Sequence, residues 1–181
     1  LQNLSDNVSG PLSLATSHHI GLRRLPPVLR RFTRDFPQVV LDIRFLDSEV
    51  AYNDVLHGRC ELALITLSPQ RRDPLRSVKI WHDELVFVVA PGHPLSQQAS
   101  VSLQDLCNWP AVFPGSQTFT SGIALSLFAA AGLTPNISMH TNYMETIKMM
   151  VSIGLAWSVL PHTMVDEEVC TLQVATATLS R

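Results

Sequence analysis

Cysteine is scarce in this chain, and its placement points away from cysteine chemistry. Cys60, Cys107 and Cys170 are three widely separated residues in a sequence of 181. An odd number, with no CxxC or Cys/His cluster, argues against a disulfide framework and against a zinc site. A reducing cytoplasm suits that usage, and Cys60, at the start of an apolar strand, reads as a small core residue. Charge is sparse as well. Charged residues make up 15% of the chain and the net charge is −2, so the overall balance does not recruit nucleic acid to this segment. No apolar run is long enough to span a membrane, and no signal peptide opens the chain. A nucleophile elbow, a P-loop, a Rossmann glycine pattern and metal motifs are all missing. No catalytic residue, cofactor or metal is therefore expected. Short repeats and low-complexity segments are also lacking.

What is there describes a packed α/β protein. Hydrophobic residues make up 46% of the sequence, and the length suits one good core or two small lobes. Residues 1–9 read as the tail of a linker. Leu12, Leu14 and Ala15 form a short buried strand that ends in the polar run Thr16, Ser17, His18, His19. A helix follows with Leu22, Leu25, Leu29, Phe32 and Phe36 on one stripe; Pro26 and Pro27 fit only its first turn, so it starts near Leu25. Its other side carries Arg23, Arg24, Arg30, Arg31 and Arg34, either a solvated face or a partner surface. Leu41, Ile43 and Phe45 alternate with Asp42 and Arg44, as in a strand with one wet face. A short helix over residues 50–57 ends at Gly58, a left-handed cap. Residues 60–65 form a continuous apolar run, as in a strand covered on both faces. A loop at residues 68–77 follows, with two prolines and three arginines.

A second series begins at residue 85. Strands are expected at residues 85–90, 111–113, 137–140 and 155–160, with helices at 103–106, 121–131 and 144–153. Two α/β series predict two lobes of open, mostly parallel sheet, divided near residues 82–84.

Ligands of open α/β sheets sit at the carboxyl ends of strands, and hydroxyls gather there. Thr16 to His19 follow the first strand, Ser48 the second and Thr66 the third. In the second lobe, Gly115, Ser116, Thr118 and Thr120 lie in a polar turn that opens a helix. That turn suits an anion, since helix N-termini favour negative charge; it equally suits an ordinary N-cap. His18 and His19 can donate to a ligand and, if protonated, hold a carboxylate; either can instead cap the helix or face water.

Six pieces stand in a fixed order: GPLSLA at residues 10–15, LPPVLRRF at 25–32, LHGRCELALI at 56–65, ELVFVVAPGHPL at 84–95, AGLTP at 131–135 and GLAWSVLP at 154–161. Together they resemble the effector-binding domain of LysR-type transcriptional regulators from residue 10 to the end of the chain. The resemblance implies a two-lobed fold of the type II periplasmic-binding-protein kind, with residues 10–82 as the first lobe and 83–178 as the second. It also implies a winged helix-turn-helix before this segment, and a return strand and helix of which residues 179–181 would be the start.

The function so implied is effector sensing. A small anionic effector would lie in a cleft between the lobes, held by Thr16, Ser17, His18, His19, Ser48, Thr66, Gly115, Ser116, Thr118 and Thr120. Two subunits would pair through residues 25–36 and 39–46 of one against 121–131 and 137–140 of the other, with Val28, Arg31, Val40, Leu127 and Phe128 at the contact and tetramers in the full-length cytoplasmic protein. DNA would be bound only by the helix-turn-helix. The family's peroxide sensors carry a cysteine pair in the segment matching residues 115–131, which has none here, so a redox switch is not expected. Ala156-Trp157 departs from the family's small glycine-containing step; the indole either fills the lobe core or narrows the cleft. Two rival functions on this fold are a periplasmic solute receptor and a small-carboxylate enzyme with His18 or His19 as its acid or base.

Overall fold

The computed structural model describes residues 8–68 and 74–175. The expected return at residues 179–181, most of the linker tail and the middle of the 68–77 loop lie outside them. The chain divides into two compact units, Leu1–Ser77 and Val78–Arg181.

Unit one is built on β1 (Gly10–Thr16), α1 (His18–Arg23), α2 (Leu25–Asp35), β2 (Val39–Phe45), α3 (Ser48–Leu56) and β3 (Leu62–Leu64). The strands run parallel in the order β2-β1-β3. Thr16 is in register with both Phe45 and Leu64, so all three strands end level at their carboxyl ends. Pro26 and Pro27 do sit in the first turn of α2. Gly58, at φ +68°, ends α3 as a left-handed cap. Cys60 is buried in a small core with Ala15 and Ala51, its thiol donating to the Leu62 carbonyl at 3.0 Å.

Two expectations need correction here. The polar run after β1 does not lead to a helix that starts only near Leu25, because His18 and His19 already open a separate six-residue helix, α1. Gly21 makes this possible: a Cβ there would stand 2.4 Å from Phe45 Cε1 and 2.8 Å from Thr16 Cγ2, so only glycine lets the helix lie so close to the strand ends. Nor is the third strand covered on both faces. β3 is three residues long, and Leu62 is 47% exposed at the sheet edge.

Unit two contains β4 (Leu85–Val89), α4 (Leu103–Cys107), β5 (Pro110–Phe113), α5 (Phe119–Ala130), β6 (Asn136–His140), α6 (Met144–Ser152), β7 (Ser158–Pro161) and β8 (Cys170–Thr171). β5 and β6 are parallel, whereas β4 runs antiparallel to both β7 and β8. Trp157 fills the core. Its indole is fully buried, stacks on Phe128 at 5.7 Å, and donates to the carbonyls of Leu106 (2.9 Å) and Trp109 (3.1 Å). A buried indole N–H needs such acceptors.

The APGHPL piece is a turn in which Gly92, His93, Pro94 and Leu95 each have a structural task. Gly92 adopts φ +81°, and Pro94 opens a single helical turn, Pro94–Gln97. His93 caps that turn, its Nδ1 accepting from the Leu95 amide at 3.2 Å, while Leu95 enters the core. Burial pushes the His93 pKa down, which favours the neutral ring that can accept. Elsewhere in the unit, Lys148 on α6 is buried with Asp166 and Glu168 on its ammonium, the latter at 2.8 Å. Burial opposes that charge, but the two carboxylates outweigh it and the pKa is raised.

Candidate functional site

The level carboxyl ends of unit one bring together five of the expected residues. The Thr16 carbonyl accepts from the Leu46 amide at 2.9 Å, tying β1 to the chain leaving β2. The Thr16 hydroxyl donates to the Leu64 carbonyl at 2.9 Å, and the Ser17 amide reaches the same carbonyl at 3.3 Å. After β3, the Thr66 amide donates to the Ser48 hydroxyl at 3.2 Å. Thr16, Ser17, Ser48 and Thr66 thus converge on one short run, residues 64–66. His18 begins α1 beside them, its ring 5.6 Å from that of Phe45.

These hydroxyls differ in what they have left to give. Thr16 is wholly buried and its proton is committed to Leu64. Ser48 is used as an acceptor, which leaves its O–H as a donor for a ligand. Ser17 is only 5% exposed, yet its Oγ has no hydrogen-bond partner among the described residues. A buried hydroxyl without a partner costs about 1–3 kcal/mol. Such a group marks a place where a ligand supplies what the protein does not. His19 is also buried.

In unit two the expected turn is organised by Thr118. This residue is the N-cap of α5, its hydroxyl accepting from the Ser121 amide at 3.3 Å and donating to the Gly115 carbonyl at 2.8 Å. Thr120 is buried at the start of the helix, while Ser116 faces water. The sequence reading missed Asn142. Its Oδ1 accepts from the Gly115 amide at 2.8 Å and so fixes the turn from the end of β6. The signal was available, since Thr141 and Asn142 form a polar strand end like the others.

Of the residues expected at a subunit contact, Val28 and Val40 are 47% and 69% exposed. Arg31 is also exposed and pairs with Asp35 at 3.4 Å. Leu127 is half-buried. Phe128 is a correction: it has no exposed surface and belongs to the core of unit two against Phe87 and Trp157. Helical spacing alone did not separate its face from that of Leu127.

Sequence reasoning also missed a charge cluster behind the unit-one strand ends. The Asp54 carboxylate, 10% exposed, accepts from Arg59 Nε at 2.8 Å and from Arg44 Nη1 at 3.5 Å. Arg44 further donates to the Ser13 hydroxyl and to the Arg59 carbonyl. Among the described residues, no group of three or more His, Cys, Asp or Glu side chains could hold a metal. Nor is any helix among them long and apolar enough to cross a membrane.

Comparison with known proteins identifies the family and the fold. The family model described as the LysR substrate binding domain matches residues 5–180. The HTH-type transcriptional regulator CysB of Haemophilus influenzae is 28% identical over 167 residues, 88% of this chain and 50% of that protein. This chain therefore spans about half the length of such relatives. Among solved structures, the effector binding domain of QuiR in complex with shikimate superposes with a TM-score of 0.81 at 21% identity, over 94% of this chain and 83% of that one. The regulatory domain of CcmR from Synechocystis PCC6803, in complex with 2-PG, gives 0.79 at 17% identity over 92% and 81%.

Proposed function

Because this chain belongs to the LysR substrate-binding domain family, we propose that it is the effector-sensing part of a bacterial LysR-type transcriptional regulator acting in the cytoplasm. The curated relatives are transcriptional regulators rather than enzymes, and the fold neighbours include domains solved with small molecules. The effector is a small anion. Ser17, Ser48 and Thr66 at the strand ends of unit one serve as its ligands. One observation carries this reading: the Ser17 hydroxyl, buried and without a partner where three parallel strands end.

Signalling follows as a population shift. A ten-fold preference of the effector for one conformation moves the balance by about 1.4 kcal/mol. Coupling to DNA then requires only that the two conformations pair differently with neighbouring subunits. Edge strand β2 with exposed Val40 and Val28 supports pairing through α2 and β2 against α5 and edge strand β6 of a second copy. DNA itself is bound by the regulator's helix-turn-helix.

A melting-temperature screen of metabolites tests the proposal. A ligand at one hundred times its dissociation constant stabilises by about 2.7 kcal/mol. The expected hit is an anion whose effect disappears in Ser17→Ala. A set of hits indifferent to that substitution would refute the site.

A further inference from the structure

The same strand ends carry a feature that hydroxyls do not explain. Phe45, the last residue of β2, is 41% exposed although it lies in register with fully buried Thr16. A lone exposed phenylalanine is ordinary, but this one is placed. Its ring stands 5.6 Å from the His18 ring at an interplanar angle of 43°. Gly21 leaves room for it, since a Cβ there would meet both the Phe45 ring and the Thr16 methyl group. His18 follows Ser17 in the chain and Phe45 is in register with Thr16, so the two rings lie at the strand end that carries a buried hydroxyl without a partner.

Among the described residues beside these rings, the hydroxyls of Ser17 and Ser48 are donors, and the His18 and His19 rings can donate as well. Ser17 and Ser48 each offer one O–H, and both hold the run of residues 64–66 through which the site is built. Two neutral donors match the two oxygens of a carboxylate. A doubly charged tetrahedral oxyanion has no apolar part to lay against the exposed Phe45 ring and costs more to desolvate beside it.

We infer that Phe45 and His18 select the effector, which is a small carboxylate bearing a ring. Its carboxylate meets Ser17 and Ser48, and its ring lies against Phe45. This rests on the reading above that these strand ends bind an effector, and adds the class of effector and the residue that sets it.

Calorimetric titration of the chain with benzoate, cyclohexanecarboxylate and sulfate tests it. Both ring carboxylates are expected to bind and sulfate is not. Phe45→Leu should weaken benzoate about three- to ten-fold, the range an aromatic contact commands, and Phe45→Tyr should restore it. Melting curves without ligand confirm that each variant folds; if Phe45→Leu does not, the comparison of benzoate with sulfate on the unaltered chain decides. Benzoate binding that ignores the loss of the Phe45 ring would overturn the inference. Sulfate binding in preference, and in a Ser17-dependent way, would overturn ring selection and leave the effector site standing. No binding of any anion, or binding indifferent to Ser17→Ala, would overturn both.

Discussion

The Thr16 hydroxyl donates to the Leu64 carbonyl at 2.9 Å, while the adjacent Ser17 hydroxyl, equally buried, donates to nothing among the described residues. Neighbours in sequence thus divide two tasks, one holding β1 to β3 and the other open to a ligand. Thr16→Val should cost about 1 kcal/mol in urea denaturation, the worth of a buried neutral hydrogen bond, and leave effector affinity nearly intact. Ser17→Ala should do the reverse, with an unchanged or slightly higher midpoint and no binding. Equal losses of affinity in both variants would erase the distinction.

Asp54 holds two arginines. Its removal takes the nearer carboxylate from Arg44, which keeps the Ser13 hydroxyl, the Arg59 carbonyl and an ion pair with Asp42 at 4.0 Å. Both arginines also reach solvent, so Asp54→Asn should cost roughly 2–3 kcal/mol, below the toll for a fully buried pair. Chemical denaturation measures this directly, and a change under about 0.5 kcal/mol would show the cluster to be a surface ornament.

Gly21→Ala forces a methyl group against Phe45 and Thr16. Overpacking of this kind costs about 1–3 kcal/mol, and the half-open Phe45 ring can yield part of the way. We expect a loss near the lower bound in thermal melting, together with weaker effector binding as the ring is displaced. A variant as stable as the parent would mean that α1 is free to move away from the strand ends.

His93 predicts an acid-sensitive cap. Burial lowers its pKa from 6.5, and a protonated Nδ1 could not accept from the Leu95 amide. With the folded pKa below the unfolded one, its stabilisation is complete above pH 6.5 and is lost as pH falls from there through the lowered value. Melting temperatures of the parent and His93→Asn should therefore converge as pH falls below about 6.5. Parallel curves across that window would contradict the assignment.

Much of this fold could be read from local chemistry. The first-turn prolines placed the start of α2 and Gly58 the end of α3; Gly10, Gly58, Gly92, Gly132 and Gly154 all have positive φ and each belongs to one of the six ordered pieces. Those pieces therefore record backbone requirements more than effector contacts. What stayed hidden depends on distant partners. β4 is antiparallel because Leu85 meets Pro161, far along the chain, and no local pattern states that. The short helix α1 was missed because its glycine argues against a helix until Phe45 and Thr16 are seen pressing on it. At the site, residue type located the hydroxyls at the strand ends, but only their bonds separate Thr16 from Ser17. Phe45 read as one more apolar strand residue, with nothing in its period-two pattern to show an open ring.

A structure of this chain with the effector from the metabolite screen tests the central claim most directly. The distance to measure runs from Ser17 Oγ to the nearest ligand oxygen. Effector sensing at these strand ends predicts an oxyanion within about 3 Å of that atom. A ligand bound elsewhere, with Ser17 Oγ still buried and without a partner, would contradict it.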